Sequence, residues 1–147
     1  MTEATYGRMG IARAYALIFG IAYLAVAILE VFFRTDDPLV IGGTTILAGG
    51  TVHIVIHLAV AALVLGSYFA GETAARMVAR IVGVTFVVVS LLNVFAGTFY
   101  WDLVAGGTLQ SQESGTPLVY TVVHIATALA ALYAGFATRP GYRPATA

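Results

Sequence analysis

Four stretches of this chain are apolar on every side, and each approaches or exceeds the roughly 20 residues that a helix needs to cross a hydrocarbon core. They lie at about Ile11–Phe33, Ile46–Ala70, Ala75–Thr98 and Pro117–Thr138. A helix in a soluble bundle sets a polar face against an apolar one, and these segments show no such division. The chain has 147 residues, of which 60% are hydrophobic and only 10% charged, so lipid is its expected solvent. The fold expected is all-α: an integral membrane four-helix bundle, formed as a single domain over 1–147.

Local signals place the connections. Asp36-Asp37-Pro38 turns the chain after the first helix. Gly42-Gly43 then leads to Thr44 and Thr45, the N-cap candidates for the second. Gly71 is a natural stop, and Thr73 is the expected cap of the third helix. So short a link forces the second and third helices antiparallel. Phe99-Tyr100-Trp101 after Gly97 suits a membrane–water interface. The polar loop Asp102–Thr116 precedes Pro117, which opens the fourth helix. Ala25-Val26-Ala27 resembles a signal-peptide cleavage site, but the apolar run continues through Phe33, and the segment is read as retained.

Arginines orient the chain. Arg8, Arg13, Arg76, Arg80, Arg139 and Arg143 fall on one side; Arg34 stands on the other with Asp36, Asp37, Asp102 and Glu113. Positive flanks stay in the cytoplasm, so the expected topology is N-in/C-in. The localisation read from this is multi-pass, in the cytoplasmic membrane of a bacterium or archaeon.

The chain also repeats itself. Ala12–Phe32 aligns without gaps on Ala75–Phe95 at an offset of 63, pairing Gly20 with Gly83, Glu30 with Asn93 and Phe32 with Phe95. An offset of 67 pairs His57 with His124 and His53 with Tyr120. Two tandem helical hairpins related by a pseudo-two-fold axis along the membrane normal would put matched residues at similar depth. Close packing of the first helix on the third is the expected reason for Gly20 and Gly83.

A tandem hairpin whose second helix opens on His53-Ile-Val-Ile-His57-Leu58, with His124-Ile125 in the fourth and glycines in the first and third, resembles the DUF4383 family of small bacterial and archaeal membrane proteins. The resemblance covers about Arg13–Phe136. It implies the four-helix fold and no activity, since the family has no established function.

The chain has no cysteine, which excludes disulfides, thiolate metal sites and iron–sulfur clusters. Zero formal net charge suggests no nucleic-acid partner. No nucleophile elbow, paired intramembrane carboxylates or nucleotide loop is present, so no catalytic residue is assigned. The chemistry-bearing residues are those buried in the apolar runs, because ionisable groups in lipid are costly. His53 and His57 are four apart and share a helix face; His124 shares one with Tyr120, Ala128, Ala131 and Gly135; Glu30 lies one turn from the outer end of the first helix. Three readings follow. In the first, the histidines fix helix register by hydrogen bonds and Glu30 reaches the outer interface or pairs with Arg34. The protein is then a small non-enzymatic membrane protein, a structural or accessory subunit packed against membrane-protein partners or copies of itself in the lipid bilayer. In the second, His57 and His124 are axial ligands of a b-type haem in an electron-transfer protein, with Gly20, Gly49, Gly50 and Gly83 making room. Alternatively His53, His57, His124 and Glu30 bind a divalent metal or relay protons. A transporter or channel component is the third.

Overall fold

The computed structural model describes residues 9–34, 37, 39–47, 50–95 and 116–137; the side chains of Thr44, Thr45, Asn93 and residues 116–119 lie outside the description. The described residues form four helices: α1 (Ile11–Phe32), α2 (Thr51–Ala70), α3 (Glu72–Phe95) and α4 (Thr116–Phe136). Between α1 and α2 stands a hairpin of β1 (Leu39–Ile41) and β2 (Thr44–Leu47). Ile11–Phe32, Thr51–Ala70 and Glu72–Leu92 are long and apolar enough to cross a membrane, and the described Tyr120–Phe136 is a shorter apolar helix. Their outward faces carry large apolar side chains such as Ile18, Phe69, Val84, Phe95 and Leu129. In water so large an exposed apolar surface would drive association.

The inward faces are built from smaller residues. Buried positions on α1 are Ala12, Tyr15, Ala16, Gly20, Tyr23, Ala27 and Glu30, a three-and-four spacing that keeps one stripe turned inward. The shared core joins Ala12, Ala16 and Tyr23 of α1 to Ala61 and Val64 of α2, Ala79 and Phe86 of α3, and Ala128 and Ala131 of α4. Packing is most extensive within two pairs, α1 with α2 and α3 with α4.

Glycine sets the closeness of each pair. A Cβ on Gly20 would fall 2.6 Å from Leu65 Cγ in α2, and one on Gly83 would fall 2.8 Å from Leu132 Cγ in α4. The two glycines therefore serve contacts inside each pair, not the contact of α1 on α3 that the repeat suggests. Leu65 and Leu132 are themselves matched at the offset of 67. Many matched positions share burial: Ala12 with Ala75, Ala16 with Ala79, Tyr23 with Phe86, Ala27 with Ser90, His57 with His124 and Ala61 with Ala128 are all buried.

At the end where α1 and α3 begin, side chains answer the open backbone groups of helix termini. Gly10 caps α1 with no side chain, and Glu72 of α3 reaches across to accept the N–H groups of Ala12 (3.2 Å) and Arg13 (3.0 Å). Arg13 Nε donates to the Tyr68 carbonyl near the end of α2 (3.1 Å), and Arg80 Nε to the Gly135 carbonyl near the end of α4 (2.9 Å). Each guanidinium also lies over an aromatic ring, Tyr68 for Arg13 and Phe136 for Arg80.

Three boundaries differ from the sequence reading. Ile46 and Leu47 do not continue α2: Thr44–Leu47 pairs with Leu39–Ile41 around Gly42 and Gly43, whose φ values of 59° and 80° make the tight turn that a two-residue hairpin loop requires. Thr44 and Thr45 are strand residues, and Gly50 is the N-cap of α2. Thr73 lies inside α3; Gly71 alone separates α2 from α3, at a φ of 103° that favours glycine. Gly49, the loop 102–115, the aromatic group 99–101, and Arg8, Arg139 and Arg143 lie outside the described residues.

A candidate metal centre

Glu30 is fully buried in the last turns of α1, and its carboxylate faces α2. One oxygen lies 2.9 Å from His57 Nδ1 in a hydrogen bond; the other is 3.1 Å from His53 Nδ1, at ion-pair distance but outside hydrogen-bond geometry. The spacing of four residues stacks the two imidazoles one turn apart, with ring centroids 4.2 Å apart. A single carboxylate thus faces both rings. Arg34 is not its partner: Arg34 Nη2 donates to Thr51 Oγ1 at 3.1 Å.

His124 comes to the same place from α4. It is buried, its ring packs on Phe86 at 5.2 Å, and Tyr120 one turn earlier lies 5.9 Å from His53. The Tyr120 backbone is within hydrogen-bonding reach of its imidazole, though outside strict geometry for Nδ1. Nitrogens from His53, His57 and His124 all lie within 4.8 Å of one another. The sequence pointed to these three histidines and Glu30, and the fold brings all four together. Asn93, matched to Glu30 in the repeat, has its side chain outside the description.

The geometry has a chemical direction. A carboxylate accepts, so the Nδ1 that bonds it carries the proton, and the opposite ring nitrogen keeps its lone pair. Protein metal centres orient ligating histidines in this way. A buried carboxylate also needs a nearby positive charge, and no Lys or Arg among the described residues lines the site. A proton on one imidazole or a bound cation would supply it.

Beside the cluster is a cavity of about 410 Å³. Phe19, Tyr23 and Phe86 form part of its wall, and Leu39, Ile46 and Leu47 of the hairpin form another. Ile46 and Leu47 are consecutive and would point to opposite faces of a regular strand. The register shift between Leu39 and Val40 is the irregularity that re-aims side chains, and Ile46 and Leu47 both line the cavity. Sequence reasoning missed the hairpin wall, although Gly-Gly between Val40-Ile41 and Thr44-Thr45 is a hairpin signal. It also missed Tyr23 and Phe86, which the offset of 63 pairs and which stack with centroids 6.0 Å apart and planes 4° from parallel.

No protein-family model matches the chain, and no curated protein or solved structure gives a significant match.

Proposed function

We propose that this is a multi-pass membrane protein that binds a transition-metal ion through His53, His57 and His124, with Glu30 orienting the ligands. The observation that carries the reading is the meeting of three buried imidazoles from α2 and α4, two of which face one buried carboxylate from α1. Imidazole suits Zn²⁺, Cu²⁺ and Fe²⁺ and does not suit Mg²⁺ or Ca²⁺. Three protein ligands would leave a coordination position open towards the cavity.

Three observations favour an ion over haem. His53 places a third nitrogen within 4.8 Å of His57 and His124, in the space a macrocycle between them would need. Leu65 and Leu132 fill the room at Gly20 and Gly83. Phe86 packs on the His124 ring. A purely structural or accessory role gives no account of this convergence, because helix register needs only one hydrogen bond per contact. Placement in a cytoplasmic membrane with both termini inside belongs to the same proposal; Arg13, Arg76 and Arg80 at one end of the helices support it. Membership of the DUF4383 family is also proposed, on the resemblance of the His53-x-x-x-His57-Leu58 stretch.

Elemental analysis of protein purified from membranes tests the reading. About one transition-metal ion per chain is expected, lost in both His57→Ala and His124→Ala. Metal content that neither substitution changes would reject the site, and a Soret band would transfer the histidines to haem.

A further inference from the structure

The cavity holds more than an ion needs, since about 410 Å³ lies within the range of pockets for organic molecules. Leu29, Ile46 and Val123 line it and are also exposed on the outer surface. It therefore opens between α1, β2 and α4 on the apolar flank of the molecule, where acyl chains would lie. What enters there is dissolved in lipid. With no Lys or Arg among the lining residues and Glu30 at the inner end, a phosphate headgroup finds no countercharge. The inner wall is aromatic, from Phe19, Tyr23, Phe86 and Tyr120, and aromatic faces favour a flat conjugated ring. The polar end is mixed: imidazoles donate or accept according to tautomer, and a carboxylate accepts. His124 is buried there and lines the cavity. Such an end suits a ring oxygen that accepts in one form and donates in another.

We propose that this cavity binds the ring of a lipid-soluble quinone or quinol, with a ring oxygen hydrogen-bonded to the histidine cluster and a ring face against the aromatic wall. The inference goes beyond the metal reading and does not depend on it, because imidazole and carboxylate can hold the oxygen whether or not an ion is bound.

A decyl-substituted benzoquinone carrying a photoreactive azide, applied to the purified full chain in lipid nanodiscs, tests this by crosslinking and peptide mapping. Labelling is expected on cavity-lining segments of α1 and α4, with displacement by excess unlabelled decylbenzoquinone. A drop of at least tenfold is expected in Val26→Phe, or in Thr127→Phe should the first variant fail to fold, since both side chains line the cavity. Metal content measured on the same samples should be unchanged in the Phe variants, and labelling should survive chelator treatment, so the two readings fail separately. Labelling spread over the lipid-facing surface, or resistant to displacement, overturns the proposal. So does displacement by a sterol in preference to the quinone.

Discussion

Glu30 has the most to lose from substitution. Glu30→Gln keeps the size of the side chain but removes its charge and replaces one acceptor oxygen with a donor. Metal affinity is expected to fall by about 10- to 100-fold, as for other carboxylates that orient ligating histidines. Competition with a chromophoric chelator measures it, and an affinity equal to that of the unaltered protein would remove Glu30 from the centre. Glu30→Ala additionally strips the partner from His57 Nδ1, costing about 1–3 kcal/mol for a buried donor left unpaired; detergent-titrated unfolding reads that loss. At this scale much was visible in the sequence. The four-residue spacing of His53 and His57 puts them on one face whatever their neighbours do. That Glu30 turns to them and leaves Arg34 to Thr51 was not visible, because it depends on how α1 is rotated against α2.

Between elements, the glycines make a sharp comparison. Gly20→Ala and Gly83→Ala would set a methyl group 3.1 Å and 3.0 Å from the backbone nitrogens of Leu65 and Leu132, besides crowding those side chains. Each is expected to cost about 1–3 kcal/mol by overpacking. Gly66→Ala on α2 meets nothing within 4 Å and should stabilise by about 0.5–1 kcal/mol, the ordinary gain inside a helix. Thermal unfolding in one detergent separates the two classes, and equal effects at all three positions would refute the close approach. Helix existence was readable from the length of the apolar runs. The β-hairpin was overlooked despite the Gly42-Gly43 signal, because Ile46 and Leu47 continue the apolar pattern of α2 and periodicity alone does not part a short buried strand from a helix. The partners of Gly20 and Gly83 were hidden too: the repeat pairs the glycines with each other, whereas the fold pairs each with a leucine of its own helical pair.

For the whole molecule, the absence of cysteine makes a single introduced thiol a clean probe of sidedness. Ile41 in the hairpin and Thr73 at the start of α3 are both exposed. With N-in/C-in topology, a membrane-impermeant maleimide should label Ile41→Cys on intact cells and Thr73→Cys only after permeabilisation; the reverse pattern would invert the orientation. Convergence of Glu30, His53, His57 and His124 on one site was expected as one alternative, on the strength of shared depth; their azimuths were not readable, since depth follows from sequence position and azimuth does not. Glu72 had no part in the sequence reading, yet it belongs to α3 and grips the first turn of α1. That grip makes the arginine-rich end a fulcrum. Any rocking of one helical pair against the other is smallest there and grows along the rods, so its full travel arrives where α2 presents its imidazoles and α4 presents the third. Occupancy at that far end would then act as a latch on the angle between the pairs.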